Sequence, residues 1–155
     1  MAWSASKIFY QYIIDSLNNT AALDLNSDAF MTPLHDNTIT PDQTVSAANS
    51  AYNAGVWASG HVTDASGWPQ VGRSLASVTA AMVSNVFTFD AADTVSANST
   101  TTLTNATGVQ IYDDTLAAPV ADQGVCYNYF GGANTITSGQ FTIIWNSSGI
   151  MTVTL

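Results

Sequence analysis

The sequence contains few cations and almost no cysteine. Lys7 and Arg73 are the only cations among 155 residues, so the chain cannot neutralise a run of phosphates, and we expect no nucleic acid and no membrane among its partners. Cys126 is the single cysteine, which excludes an intrachain disulfide. It lies next to no Lys or Arg and is expected to be a buried, inert thiol.

Glutamate and long apolar runs are also missing. All eleven acidic residues are Asp, although Glu is the better helix former and Asp prefers caps and turns. No segment approaches the roughly 18 uninterrupted apolar residues of a transmembrane helix, and the first 17 residues do not resemble a signal peptide, because no small-residue cleavage site follows them. The chain is therefore expected to be neither helix-rich nor membrane-spanning.

The residues that are present indicate a folded β protein. Apolar residues make up 46% of the chain and Thr occurs twenty times, a composition suited to half-buried strands around a core. The length is that of one ordinary domain. We predict a single domain over residues 1–155, an antiparallel β-sandwich or jelly-roll-like fold with one N-terminal helix.

Local patterns place the elements. Apolar spacing predicts the helix over about residues 4–17, capped by Ser4 or Ser6, and seven or eight strands from about residue 22 to residue 155. The Gly- and Pro-containing stretch 40–68 predicts loops with one short helical turn. Alternation in 141–145, a turn and a returning strand 150–155 predict a C-terminal hairpin.

The sequence contains no convincing catalytic motif. His61 lies near Asp64 and Ser66, but a Ser-His-Asp triad is assembled by the fold and sequence proximity carries no weight. Asp113 and Asp114 are adjacent, which indicates a strand end entering a turn rather than a glycosidase pair. We expect no catalytic residue and no enzyme activity.

Cofactor and metal motifs are incomplete. The alternating oxygens of Asp24, Asn26 and Asp28 match the start of a Ca²⁺ loop, without its central Gly and final Glu. Gly131-Gly132 lacks the Lys and the helix start of a phosphate loop. Two His and one Cys show no transition-metal spacing. We expect no cofactor and no metal.

Several short segments together carry a resemblance to a known family. The C-terminal one reads G-Q-F-T-I-I-W-N-S-S-G-I, and the others span residues 25–34, 40–42, 64–75, 89–93 and 109–114. They resemble tailed-bacteriophage virion proteins that end on a G-x-F-T-I-x-W strand followed by a G-I strand. Pro33 and His35 depart from the apolar first strand of that family.

The resemblance implies a non-enzymatic virion structural protein of the capsid decoration, minor capsid or head-fibre type. Such a protein is made in the bacterial host cytoplasm and is expected on the capsid exterior, bound in many copies to the major capsid protein and stabilising the shell. Self-association is expected, with a trimer first. The alternative is a host-facing adhesin or carbohydrate-binding module on a tail or fibre.

Aromatic residues are enriched at protein interfaces. The candidate interface residues are Trp3, Phe9, Tyr10, Trp57 and Trp68. The competing interpretation is that these rings pack a core, and the N-terminal helix that carries some of them could equally cap the open end of the sandwich. For Trp145, which alternates with apolar neighbours, the core is the expected location.

Overall fold

The computed structural model describes residues 3–154 and is mainly antiparallel β-structure with few helical residues, as the composition predicts. The strands are β1 (Lys7–Ile8), β2 (Phe30–Thr32), β3 (Leu34–His35), β4 (His61–Val62), β5 (Arg73–Ser74), β6 (Ala76–Val83), β7 (Val86–Ala92), β8 (Thr94–Val95), β9 (Thr101–Asp113), β10 (Gly124–Gly139), β11 (Thr142–Ile143) and β12 (Met151–Thr154). The helices are α1 (Tyr10–Asn18), α2 (Ala47–Ser50) and a 3₁₀ turn (Gly55–Ala58).

The largest sheet is organised around β9. One edge of β9 pairs with β10, and the other edge pairs with β2 and β3 in succession. Pro33 separates β2 from β3 because it has no N–H to donate to a ladder, but its carbonyl still accepts from the amide of Gln110 at 3.1 Å. β1, β4 and β5 complete this seven-stranded sheet.

A second sheet packs against the first. β6, β7 and β12 form it in the order β12-β7-β6, and Phe89 of β7 meets Phe30 of β2 edge to face, with ring centroids 5.2 Å apart. Both rings are fully buried in one hydrophobic cluster to which both sheets contribute. The arrangement is sandwich-like, as predicted.

The N-terminal helix starts later than predicted. Residues 7 and 8 form β1, which pairs with β10, and Phe9 is the N-cap of α1 without a side-chain cap hydrogen bond. The Ser6 hydroxyl instead accepts from the amide of Tyr129. Periodicity could not detect β1, because a two-residue strand is defined by its partner and not by its own pattern.

The predicted C-terminal hairpin is wrong in its pairing. The turn exists, since the amide of Gly149 donates to the carbonyl of Asn146 at 2.8 Å. The flanking strands then separate: β11 pairs with β8, and β12 pairs with β7. Leu155, the predicted end of the last strand, lies outside the described residues, as do residues 1 and 2.

The region 40–68 is largely loop and contains the short helix α2, as predicted, but it also holds the 3₁₀ turn and β4, which the prediction did not include. Its last turn is tied to β9 by Asp64, whose carboxylate accepts from the amides of Ser66, Gly67 and Thr102 at 2.8–3.0 Å. These backbone hydrogen bonds, with a further one from the Ser66 hydroxyl, lower the pKa of Asp64 to about 2. The turn holds Trp68, whose Nε1 donates to the Thr32 carbonyl at 2.9 Å.

We expect Asp64→Ala to lower Tm more than Asp42→Ala does. Asp64 joins two segments 38 positions apart, whereas the Asp42 carboxylate accepts only from the amide and hydroxyl of Thr44. Thermal unfolding followed by Trp fluorescence measures both variants. An equal fall in Tm would contradict the linking role of Asp64.

Candidate functional site

Four of the five predicted interface aromatics are buried. Trp3, Phe9, Trp57 and Trp68 are each at most 1% exposed, so in this conformation they have no face to offer a partner. The interface prediction is corrected for these four rings, and the competing core interpretation applies to them. Tyr10 is 50% exposed and is the one of the five that reaches the surface.

Contacts between segments that are distant in the sequence bury these rings. Trp3 lies against Gly108 of β9, where an added Cβ would come within 2.4 Å of the indole ring, and its Nε1 donates to the Asp36 carbonyl at 2.8 Å. Trp57 packs edge to face against Trp3 and Phe9, with ring centroids 5.9 and 5.8 Å apart. The Gly-rich loop therefore closes over the core and does not display its tryptophans.

Helix α1 exposes an apolar surface. Its outward side chains recur at i, i+3, i+4 and i+7, the spacing of one helical face, and we call them the apolar helix face: Tyr10, Ile13, Ile14 and Leu17. Leu17 is 81% exposed. A surface helix usually turns such a stripe towards the core, so this helix has the reverse orientation.

Tyr12 and Asp15 are the buried residues of this helix, and Asp15 forms the polar part of its inward side. Its side chain is buried, with Oδ1 accepting from Gln11 Nε2 and Thr20 Oγ1 at 2.8 Å each, and Oδ2 accepting from Gln123 Nε2 at 2.9 Å. Desolvation raises the pKa of this carboxyl, but the hydrogen bonds outweigh it and the pKa lies below the ordinary Asp value. A carboxylate held in this way keeps its side of the helix inward and leaves the apolar side in water.

A groove of about 450 Å³ runs beside the helix. Tyr10 and Ile13 line one side of it, and Ile8, Tyr127 and Met151 line the rest with polar neighbours. Lys7 is the charged residue among its lining residues. The Tyr10 ring is fixed at the rim, since its hydroxyl accepts a hydrogen bond from Gln43 Nε2 and its amide donates to the Gln43 carbonyl.

The histidines do not form a catalytic arrangement. His35 and His61 are opposite each other on β3 and β4, with ring centroids 4.8 Å apart. Burial, and then the neighbouring His61, lower the pKa of His35 to about 4. Within residues 3–154, neither ring nitrogen of His61 has a hydrogen-bond partner, while Ser66 donates to Asp64. The structure does not bring a Ser-His-Asp triad together from these residues.

Asp113 ends β9 and begins a turn, as predicted. Its buried Oδ1 accepts from the amides of Thr115 and Leu116 at 3.0 and 3.2 Å. Desolvation, followed by the nearby charge of Asp28, raises the pKa of Asp113 above the ordinary value. Because the carboxyl is fully enclosed, it holds the turn and has no access to a substrate.

The cysteine and the candidate Ca²⁺ loop do not form a site either. Cys126 is buried, as predicted, and desolvation raises its pKa to about 12. The Asp24 carboxylate accepts from the Asn26 amide and the Ser27 hydroxyl, so it closes its own loop. Among residues 3–154, no group of three or more His, Cys, Asp or Glu side chains is placed to hold a metal ion.

No helix in the described part of the chain has the length and apolar character needed to cross a membrane.

A second groove, of about 480 Å³, lies where β10 meets the C-terminal segment. We call it the aromatic groove; its aromatic and amide lining residues are Tyr129, Phe130, Phe141, Trp145, Asn134 and Asn146. Phe141 packs edge to face on the buried Trp68, with ring centroids 5.5 Å apart. This groove combines apolar ring surface with amide groups.

Sequence reasoning did not single out Ile13, Ile14 or Leu17 as surface candidates, although they share the exposed helix face with Tyr10. The one signal in the sequence was that this short helix has apolar residues on both of its sides, so that its apolar spacing alone did not decide which side faces the core.

Comparison of the chain with protein-family models, with curated proteins and with solved structures finds no match.

We expect Asp113→Asn to remove a pH dependence of stability. A carboxyl whose pKa is raised on folding contributes stability at low pH, and this contribution is lost as the pH rises from about 3.9 through the raised folded value. The free energy of unfolding of the variant should equal that of the wild type near pH 4 and exceed it by roughly 1–3 kcal/mol at pH 8.

Urea unfolding at both pH values measures the difference. Asp114→Asn is the matched control, since Asp114 is the exposed neighbour of Asp113 in the sequence. A constant difference between Asp113→Asn and the wild type across this range would contradict the expectation.

Proposed function

We propose that the chain is a non-enzymatic structural protein of a bacteriophage virion, a capsid decoration or minor capsid protein. In this role it binds the outer shell in many copies and stabilises it. Its partner is the major capsid protein of the same virion, and it also associates with copies of itself. It is made in the bacterial host cytoplasm and carried on the capsid exterior.

Two lines of reasoning support the proposal. The first is the resemblance of the sequence segments to tailed-bacteriophage virion proteins. The second is chemical and concerns the described residues. Ser66 and His61 do not interact, and Asp113 and Cys126 are buried, so these groups support a binding role better than a catalytic one. A domain with inert chemistry and a preformed surface suits a protein whose weak single contacts are multiplied over a repeating shell.

The apolar helix face is the observation that carries the proposal. Large side chains such as Leu17 and Ile14 are exposed on a regular helix, and contiguous exposed apolar patches mark interaction sites. The buried hydrogen bonds of Asp15 hold the face outward. The surface is therefore preorganised, so binding does not require a rearrangement of the helix.

We expect purified protein to add to capsids that lack it and to raise their disassembly temperature. Leu17→Asp should weaken this binding about tenfold or more, because it places a charge in an apolar contact. Val83→Asp is the control, since Val83 is 65% exposed on the β6–β7 hairpin and belongs neither to the apolar helix face nor to the lining of the groove beside it. Sedimentation of labelled protein with capsids and differential scanning calorimetry measure both effects.

Protein that neither binds capsids nor shifts their disassembly temperature would overturn the proposal. A copy number per virion far below that of the shell subunit, measured by quantitative mass spectrometry, would also contradict it.

The aromatic groove favours a second candidate, a host-facing adhesin or carbohydrate-binding module on a tail or fibre. Ring faces for stacking and amides for hydrogen bonding to hydroxyls are present there together. Two of the aromatic candidates from the sequence, Trp57 and Trp68, are buried and offer no ring face to a sugar. Half-buried Phe130 and Tyr129 take their place in this candidate.

The adhesin candidate predicts saturable binding on a glycan array that falls at least about tenfold in Phe130→Ala. Val83→Ala, outside the groove, should bind as the wild type does. Absence of binding to every glycan and to host cells would exclude this candidate.

A further inference from the structure

Unpaired buried polar atoms are concentrated in one layer of the protein. Among residues 3–154, eight buried side-chain nitrogen or oxygen atoms have no hydrogen-bond partner. Five of them belong to three residues on one face of the β4-β3-β9 part of the large sheet and to one residue of the loop that covers it: His35, His61, Gln110 and Trp57. Buried polar groups are normally satisfied by protein, water or a bound ion. This layer is therefore where a polar ligand is expected.

Strand register places the two imidazoles side by side. His35 of β3 is directly opposite His61 of β4 on one side and Gly108 of β9 on the other, and directly opposite residues project from the same face of a sheet. The ring centroids of His35 and His61 are 4.8 Å apart. Two imidazoles that bind one Zn²⁺ through nitrogens at about 2.0 Å, in tetrahedral geometry, have ring centres roughly 5 Å apart. The observed separation matches that of two ligands of one ion.

The hydrogen bond of His35 determines which of its nitrogens can bind a ligand. Nδ1 lies 3.0 Å from the Ser59 carbonyl oxygen, and because a carbonyl can only accept, the proton of the neutral ring is on Nδ1. Nε2 therefore carries a lone pair, and it is buried without a donor. Metal-binding histidines typically donate their other ring N–H to a carbonyl or a carboxylate in this way. Neither nitrogen of His61 has a partner, so either one can supply a second lone pair.

An amide oxygen belongs to the same face. Gln110 is two positions from Gly108 on β9, so it projects to the same side of the sheet as His35 and is diagonal to it. Its Nε2 donates to the Ser50 carbonyl at 2.6 Å, which leaves Oε1 as a buried acceptor without a donor. The face therefore presents an oxygen ligand in addition to the imidazole nitrogens.

We propose that His35 Nε2 and a ring nitrogen of His61 bind one divalent transition-metal ion of the Zn²⁺, Ni²⁺ or Cu²⁺ class, with Gln110 Oε1 as an adjacent oxygen donor. Imidazole favours these ions, whereas Ca²⁺ and Mg²⁺ prefer carboxylate and carbonyl oxygens. Burial lowers the pKa of both rings, so both are in the neutral form that binds metals. β4 is an edge strand and His61 is half-buried, so an ion reaches the pair from the edge of the sheet.

The proposal departs from the expectation of no metal, which rested on sequence spacing. The two histidines flank residues 36–60, a segment that contains α2 and the 3₁₀ turn and places Trp57 on His35, with ring centroids 5.2 Å apart. An ion held at both ends closes this segment into a loop, and closing a long loop restricts the unfolded chain. The ion would supply a crosslink in a chain whose single cysteine cannot form an intrachain disulfide.

The test uses the full chain, expressed without a histidine tag and stripped of metal with EDTA. Calorimetric titration with Zn²⁺ should give one ion per chain, and Tm should rise by about 5 °C or more at a Zn²⁺ concentration about a hundred times the dissociation constant. Because the chain contains two histidines, NMR can follow both imidazoles, and the C–H signals of both should shift during the titration.

Two variants remove one ligand each. His61→Phe keeps an aromatic ring beside His35 and Tyr52 and removes the ring nitrogens. His35→Asn keeps an amide that can donate to the Ser59 carbonyl and removes Nε2. Each should raise the Zn²⁺ dissociation constant about tenfold or more, since even changes in the outer shell of a metal site typically cost that much. Circular dichroism and Tm in EDTA show whether each variant is folded.

The controls address the other groups that bind cations. Cys126→Ser removes the thiol and Asp42→Asn removes an exposed carboxylate, and both variants should bind Zn²⁺ as the wild type does. Ca²⁺ is the control ion. Because the chain has a net charge of −9, cations gather at its surface, and Ca²⁺ reports that non-specific binding.

Three results would overturn the proposal. The first is the absence of heat and of imidazole shifts with Zn²⁺, Ni²⁺ and Cu²⁺, which would assign water to this layer. The second is Zn²⁺ binding that is unchanged in His61→Phe, and the third is equal affinity for Ca²⁺ and Zn²⁺. If His35→Asn does not fold, His61→Phe and the titration of the wild type still decide. No capsid enters these measurements, so their outcome is independent of the proposed function.

Discussion

The buried carboxylate of Asp15 is the interaction on which the surface of this protein depends. A helix of nine residues with apolar side chains on both sides could pack either side on the sheet. Three side-chain donors satisfy the buried carboxylate, and its pKa lies below the ordinary Asp value. One donor, Gln123, lies far from the helix in sequence, so turning the helix over would break its bond to Asp15 and leave its amide unpaired. Together with the buried ring of Tyr12, this polar contact turns the apolar helix face outward.

The interior of the protein is closely packed around β9. β9 is buried on both faces along its second half, and space beside it is so limited that Gly67 and Gly108 sit where a Cβ would collide with Thr101 and Trp3. Large rings fill the volume that the loops would otherwise leave open. Most of the aromatic rings that the sequence suggested for an interface therefore pack in the core. The exposed large apolar side chains include those of α1 and of the β6–β7 hairpin.

Sequence reasoning predicted the mainly β fold, the short helix α2 and the burial of Cys126 because each depends on composition or on a few neighbouring residues. It failed where the outcome depends on a distant partner. β12 pairs with β7 and not with β11, and local alternation carries no information about that choice. For Trp57 and Trp68, the flanking glycines indicated exposed loops, but the contacts that bury both rings come from elements far away in the chain. The orientation of α1 was hidden for the same reason, since Gln123 is 108 positions from Asp15.

The burial of all four tryptophans has a practical consequence for spectroscopy. Indole emission responds to the polarity and mobility of its surroundings, and here each indole already has an apolar environment in the isolated chain. Intrinsic fluorescence will therefore report loss of the core, while contacts made at the surface of α1 will leave the emission spectrum almost unchanged. Optical detection of those contacts depends on the exposed phenol of Tyr10 or on an attached label.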